Sequence, residues 1–465
     1  MVTSLEADYL VVGAGAAGMA FTDALVDHAD VRVVLVDRRH GVGGHWLAAY
    51  PFVRLHQASS FYGVASTPLG DGQRQPHGPE QGLHERASAP EICAYYGRVL
   101  QRLLRSGRVS FHPGCEYVGS GRFVSRVSGQ AFEVDVRRRV VDAAYLAPRI
   151  PAETPAPFEV ADDAHVIPAN DLVHLAQAPS EFVVVGSGKT ATDTCIWLLG
   201  NGVDPEAIRW VRPRDPWMID RAVVQPDPAV FLGMAADVER AAVGAASVDE
   251  MFLRLEEAGV MLRLDPRVTP TMAKVPTLAR WELDRLRTIT DVVRRGHLRR
   301  VERGRLVLAE GTVPVADDAV VVHAAAPGLR RRPLVPIWGP GSITVQPVRA
   351  GFPCFGAALV GYVEATVDGD EEKNRLCPPS PYSDTPTEWA RMQVLGYWAT
   401  RAFLSDAAIR AWAAEVPLNP ARIPARAPHT PALGAALERV RRHEVPGMTR
   451  MAELAGLAPP EPSRR

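Results

Sequence analysis

Residues 8–37 read DYLVVGAGAAGMAFTDALVDHADVRVVLVD, and this stretch decides the fold class. An apolar run through Leu10, Val11 and Val12 breaks at Gly13, a segment with helical spacing follows, and a second apolar run, Val33 to Val36, ends on Asp37. Strand, glycine turn, helix, strand is half of a parallel sheet, whose strands read as apolar throughout because helices cover both faces. Gly13, Gly15 and Gly18 form GxGxxG. In that arrangement the first glycine permits the tight turn, the second lets a pyrophosphate approach the backbone, and the third lets helix and strand pack closely. The helix N-terminus then faces the phosphates. Asp37 lies nineteen residues beyond Gly18, where a carboxylate can take the ribose hydroxyls of a dinucleotide. Arg38 beside it reads equally as an adenosine contact or as surface charge.

The pattern recurs at 181–214, EFVVVGSGKTATDTCIWLLGNGVDPEAIRWVRPR. Gly186, Ser187, Gly188, Lys189, Thr190 and Ala191 give GxGxxA, with alanine at the helix-packing position. The second strand of this unit ends in Arg212 and Arg214 where the first has Asp37. A guanidinium there suits a 2'-phosphate that a carboxylate would repel, which favours NADPH over NADH. Lys189 opens the helix in a chain whose other lysines are only 274 and 373, and it reads as a phosphate contact or as helix-start charge. GSGKT is not a nucleoside triphosphatase loop, because Val183 stands where that loop requires its first glycine.

Working outward, PEICAYYGRVLQRLLRSG places Ile92, Tyr95, Val99 and Leu103 on one helical face, and short strands run from there to about Tyr145. The proline-rich stretch 147–160 reads as an extended linker. Helical patterns at 248–259 and 278–296 are expected to supply core or a substrate wall. The small-residue segment 346–366 reads as a buried helix that returns to the first unit, Ala407 to Ala414 as part of a late helix, and PPEPSRR as a frayed tail. The expected fold is therefore α/β, with two Rossmann-like dinucleotide-binding domains, the second inserted in the first, and a C-terminal helical segment. The expected boundaries are 1–150 and 301–425 for the first domain, 151–300 for the second, and 426–465 for a C-terminal extension.

Composition narrows the function classes. The 465 residues carry a formal net charge of -1, so no global field attracts nucleic acid or an anionic membrane. No apolar run reaches the length of a membrane span, and no signal peptide is evident, so the cytoplasm is the expected compartment. The five cysteines, 93, 115, 195, 354 and 377, are odd in number and widely spaced, which argues against structural zinc, a disulfide framework or a dithiol relay to a flavin. Cys354 reads as a small buried hydrophobe. No metal site is expected.

At 41–63, GVGGHWLAAYPFVRLHQASSFYG, the chain resembles the class B flavoprotein monooxygenases: the flavin-containing, Baeyer-Villiger and N-hydroxylating enzymes. Gly43, Gly44, Trp46, Tyr50 and Pro51 fit that family's layout after the second strand, while His45 is larger than the residue usual there. The order and spacing of the two glycine loops fit as well, so the resemblance extends over most of residues 5–365. It implies FAD in the first unit, with Gly43 and Gly44 letting the backbone pass close to it and Trp46 and Gln57 near the flavin ring. His45 is a further cofactor contact on this reading, and Gln57 is the candidate catalytic residue. NADPH would reduce the flavin, and molecular oxygen would be activated as a C4a-peroxide and transferred to a small organic substrate. The departures are specific. Phe158 and His165 lie seven positions apart without the intervening motif glycine, and the turns at Asp142-Ala143-Ala144-Tyr145 and His323 to Ala326 replace the family's ATG-like sequences. A flavin-dependent dehydrogenase or oxidase, or a nucleotide-holding redox sensor, would use the same two sites. A homodimer is the general expectation for assembly.

Overall fold

The computed structural model describes residues 2–325, 328–329 and 331–458. The tail 459–465 and Ala326 of the second departing turn lie outside these residues.

The first sheet runs Trp338–Gly339, Ser342–Thr344, Ala131–Asp142, Val2–Val12, Val33–Val36, Val109–His112. Its central strands are parallel, with Val11 beside both Leu35 and Val141. Val33–Val36 is buried at every position, as a strand covered on both faces must be. Helix α1 (Ala16–His28) covers one face, and α2 (Ala89–Arg105) buries Ile92, Tyr95, Val99 and Leu103 as its spacing requires. Ser88 starts α2 with a capping box, its backbone N–H donating to Glu91 Oε2 at 2.7 Å.

The second sheet is parallel throughout, in the order Val292–Val293, Ile208–Val211, Phe182–Val185, Val320–His323, Val166–Pro168. Helix α3 (Lys189–Gly200) leaves its glycine loop. The strand Val320–His323 sits inside this sheet, with Val322 beside Val184. The second unit therefore runs past the boundary expected at 300, because a chain leaving there would take one of the sheet's inner strands with it.

A third layer packs against both units. The strands Pro216–Asp220, Met261–Arg263 and Met272–Leu278 form a small sheet. It is joined by α4 (Pro228–Val243), α5 (Val248–Glu257) and α6 (Arg280–Leu286). The helix expected over 278–296 stops at Leu286, where the β-branched run Thr288-Ile289-Thr290 disfavours another turn and the chain instead pairs Val292–Val293 with the second sheet.

The chain then returns to the first unit. Helix α7 (Pro353–Thr366) is buried from Cys354 to Glu364 and lies on α1, with Gly361 so close to the Phe21 carbonyl that a Cβ would stand 2.4 Å from its oxygen. Helices α8 (Asp370–Leu376), α9 (Pro386–Leu404), α10 (Ala407–Glu415) and α11 (Pro431–Leu454) follow. Helix α11 is no free extension. Its Gly447 crosses α4 where a Cβ would meet the Glu239 carbonyl oxygen at 2.5 Å, and Met451 joins a core with Trp217, Phe252 and Trp389.

Candidate functional site

The first glycine loop is built by close approaches. Gly13 has φ +106°, its N–H donates to the Val36 carbonyl at 2.8 Å, and a Cβ on Gly18 would stand 1.8 Å from the Gly13 oxygen. Gly44 crosses Gly15 so tightly that its own Cβ would lie 2.9 Å from the Gly15 Cα, so the GG segment lies directly on the loop. Gly43, at φ +114°, supplies the turn that brings it there. Asp37 is buried, and its two carboxylate oxygens accept from the backbone N–H groups of Ala14 at 2.6 Å and Arg39 at 2.7 Å. Its carboxylate is thereby fixed at the loop mouth with lone pairs to spare. Helix α1 begins at Gly15 with no side-chain cap, which leaves its first N–H groups for an anion.

Around this loop, Arg38 is exposed, while Arg39 turns inward to a bidentate pair with Glu153 of the linker. His45 is held neutral, its pKa drawn down to about 4 by burial and the Arg39 charge, with Glu153 opposing. Trp46 is buried and donates from Nε1 to the Tyr62 hydroxyl at 2.6 Å. Tyr62 packs edge-on to Tyr96 at 6.3 Å. Cys354, fully buried at the start of α7, has its thiol pushed up to about 12 by burial, the state of an inert thiol.

In the second loop Gly186 has φ +137° and lies against the Ala324 carbonyl, where a Cβ would be 2.9 Å from the oxygen. A Cβ on Gly188 would meet nothing within 4 Å, and α3 also starts without a side-chain cap. The Ser187 hydroxyl is buried with no hydrogen-bond partner among the described residues. An orphaned hydroxyl, an open glycine and uncapped helix N–H groups fit a phosphate-bearing ligand.

The remaining sequence candidates are committed to protein partners. Lys189 pairs with Asp193 one turn along α3, and Tyr50 donates to the same carboxylate at 2.7 Å while its hydroxyl also meets the Thr190 side chain. Arg212 is buried, 3.3 Å from Asp215 and stacked 4.6 Å over Trp210, and its Nε has no hydrogen-bond partner among the described residues. Arg214 donates to Asp384 Oδ2 at 2.6 Å and the Thr271 carbonyl at 2.7 Å. Both arginines sit at the end of the second strand, with acids already beside them.

Segment 45–57 links the two loops. Beyond the Tyr50–Asp193 contact, Phe52 stacks on Trp197 of α3 at 4.9 Å, and Asn170 donates to the Ala48 carbonyl at 3.1 Å. At its far end Gln57 Nε2 reaches the Gly351 carbonyl at 3.5 Å and lines a cavity of about 460 Å³ between the first unit and the third layer. The sequence reading missed Asp193, and also Arg349 and Glu239, which line this cavity. A lone arginine ahead of the apolar run 351–363 was the one available signal. Glu239 has none, since it looks like any acid on an amphipathic helix.

This two-unit arrangement is similar in fold to solved monooxygenases. Residues 11–50 match the family described as an NAD(P)-binding Rossmann-like domain. The fold is similar to the polycyclic ketone monooxygenase of the fungus Thermothelomyces thermophila, at TM-score 0.53 and 12% identity over 96% of this chain and 89% of that one. It is also similar to the open form of a cyclohexanone monooxygenase, at TM-score 0.50 and 15% identity over 87% and 99%. The chain belongs to one family with an uncharacterized protein of Mycobacterium tuberculosis, 43% identical over 422 residues that cover 90% of this chain and 78% of the relative. Among the described residues no helix is long and apolar enough to cross a membrane.

Proposed function

We propose that the protein is an FAD-dependent, NADPH-consuming monooxygenase for a small organic substrate, with molecular oxygen as co-substrate. The observation that carries this reading is segment 44–57, which lies on the first glycine loop through Gly44, holds the second unit through Tyr50 and Phe52, and opens onto a cavity at Gln57. Two nucleotide loops and a chamber share one strip of chain, as a reaction passing electrons from one nucleotide to another beside a substrate requires.

On this reading Gly13, Gly15, Gly18, Asp37, Gly43 and Gly44 hold FAD, with neutral His45 beside the loop. Ser187 and Gly188 hold the NADPH pyrophosphate, and Arg212 or Arg214 meets its 2'-phosphate by sharing with Asp215 or Asp384. The flavin supplies the redox and oxygen chemistry when bound. The chain orients the two nucleotides, excludes water with the buried Trp46 and half-buried Tyr62 rings, and offers the Gln57 amide as a donor at the chamber wall.

The test is to purify the protein, record its visible spectrum, add NADPH without oxygen, and then admit oxygen-18 with candidate substrates. Flavin absorbance bleached by NADPH, with label recovered in product, is the expected result. Absence of flavin, or bleaching with all oxygen recovered as hydrogen peroxide across a substrate panel, overturns the monooxygenase reading.

A further inference from the structure

The 460 Å³ cavity has mainly apolar walls, drawn from α4, α9, α10 and α11, with Phe231 and Met448 among them. That volume suits a small organic ligand. Its charges are distributed unusually. Arg349 lines the cavity two residues before Gly351, the carbonyl Gln57 reaches. Its guanidinium donates to the Thr400 hydroxyl at 3.2 Å and lies 6.0 Å from the Phe231 ring centre. Among the described residues no carboxylate lies within ion-pair reach of it.

Arg349 is half-buried, and other arginines shielded from water are treated differently. Arg221 meets Glu80 and Glu282, Arg86 meets Glu80, and Arg212 meets Asp215. A charge taken out of water without a counter-ion is costly, and folded proteins pair it. The lining carboxyls do not do so for Arg349: Glu239 and Glu444 face each other on α4 and α11, and neither pairs with it. The other lining arginines donate to backbone carbonyls, Arg410 to Leu404 at 2.9 Å and Arg422 to Glu415 at 3.4 Å. Arg349 has five N–H donors, and the Thr400 hydroxyl is its single hydrogen-bond acceptor among the described residues. Burial accordingly pulls its pKa down to about 10, still far above neutrality.

We propose that this cavity is the substrate chamber and that it takes apolar organic acids, whose carboxylate supplies the counter-ion that Arg349 lacks. A planar carboxylate matches the guanidinium fork in two parallel hydrogen bonds, and the apolar remainder lies along the walls of α4 and α11. This assignment rests on the monooxygenase reading, since it names the substrate class of that site. Seating the acid on Arg349 also places the ligand beside Gln57, at the end of the cavity nearest the first unit.

Isothermal calorimetry on the protein as purified separates the two ideas, because it reads binding whether or not NADPH is consumed. The probes are phenylbutyrate, phenylbutanol and phenylbutylamine, which share one apolar body. Phenylbutyrate is expected to bind at least about tenfold more tightly than the other two, the scale of one charge-assisted contact. Arg349→Gln should erase that preference, and Arg349→Lys should keep part of it. Thr400→Val, which removes the hydroxyl orienting the guanidinium, should give a smaller loss in the same direction, and it carries the test if Arg349→Gln fails to fold. Alcohol binding equal to acid binding, no acid binding by the folded protein, or an unchanged preference in the variants would overturn the proposal. A preserved preference in a protein whose flavin NADPH never bleaches would overturn the monooxygenase reading and leave the acid chamber standing.

Discussion

Tyr50 Oη donates to Asp193 Oδ2 at 2.7 Å, joining the segment that lies on the first glycine loop to the helix that opens from the second. Lys189 pairs with the same carboxylate, and burial lowers its pKa while Asp193 opposes the shift. Tyr50→Phe removes one neutral donor and should cost about 1 kcal/mol in urea unfolding. Asp193→Ala leaves the half-buried Lys189 without its carboxylate and should cost more than Tyr50→Phe. Equal losses would show that Lys189 finds another partner.

The two glycines of the second loop should separate folding from binding. Gly186→Ala meets a left-handed backbone and the Ala324 carbonyl, so about 1–3 kcal/mol of stability should go. Gly188→Val meets open space, so its melting temperature should hold while calorimetry shows weaker NADPH binding. A Gly188→Val protein that binds NADPH normally would remove this loop from the nucleotide site.

Arg212→Ala should weaken NADPH more than NADH by about 1.5–3 kcal/mol, the loss of a charge-assisted phosphate contact. Asp215 keeps Arg294 at 2.7 Å, so the variant does not strand that acid and should fold. Equal losses of both nucleotides, measured by steady-state KM, would place the 2'-phosphate elsewhere.

Glu239 gives the chamber a pH signature. Burial, reinforced by Glu444, pushes its carboxyl up from the ordinary 4.5 to about 8. A raised carboxyl pKa means that the folded state holds a proton which the unfolded state releases. Its contribution is therefore fully present below about pH 4.5 and is lost as pH rises through about 8. Glu239→Gln should melt like the parent in mild acid and above it in mild alkali. Parallel melting curves across that range would count against a proton on Glu239.

Gln57→Leu should retain FAD while NADPH-driven hydrogen peroxide release rises, because the chamber wall loses its amide donor. Unchanged coupling of NADPH use to product would remove Gln57 from the chemistry.

The two loops were legible because their glycines obey backbone rules that depend on local geometry alone, and because buried parallel strands show as apolar runs. The end of the second unit was not. Val320–His323 is one more apolar run, and only pairing with Phe182–Val185 assigns it to the second sheet. The roles of Arg212 and Lys189 were equally hidden, since neither Asp215 nor Asp193 announces in sequence that it faces a cation. Arg349 became visible only because no acid among the described residues neighbours it, a property of the packed chain.

Helix α11, the last helix among the described residues, lies across α4 at Gly447 and forms one wall of the cavity. During synthesis both glycine loops and α7 leave the ribosome before that wall exists. Domains fold as they emerge, so the order of manufacture is dinucleotide cradles first, chamber last. On the proposed reading, a nascent chain meets its nucleotides before α11 has closed that wall.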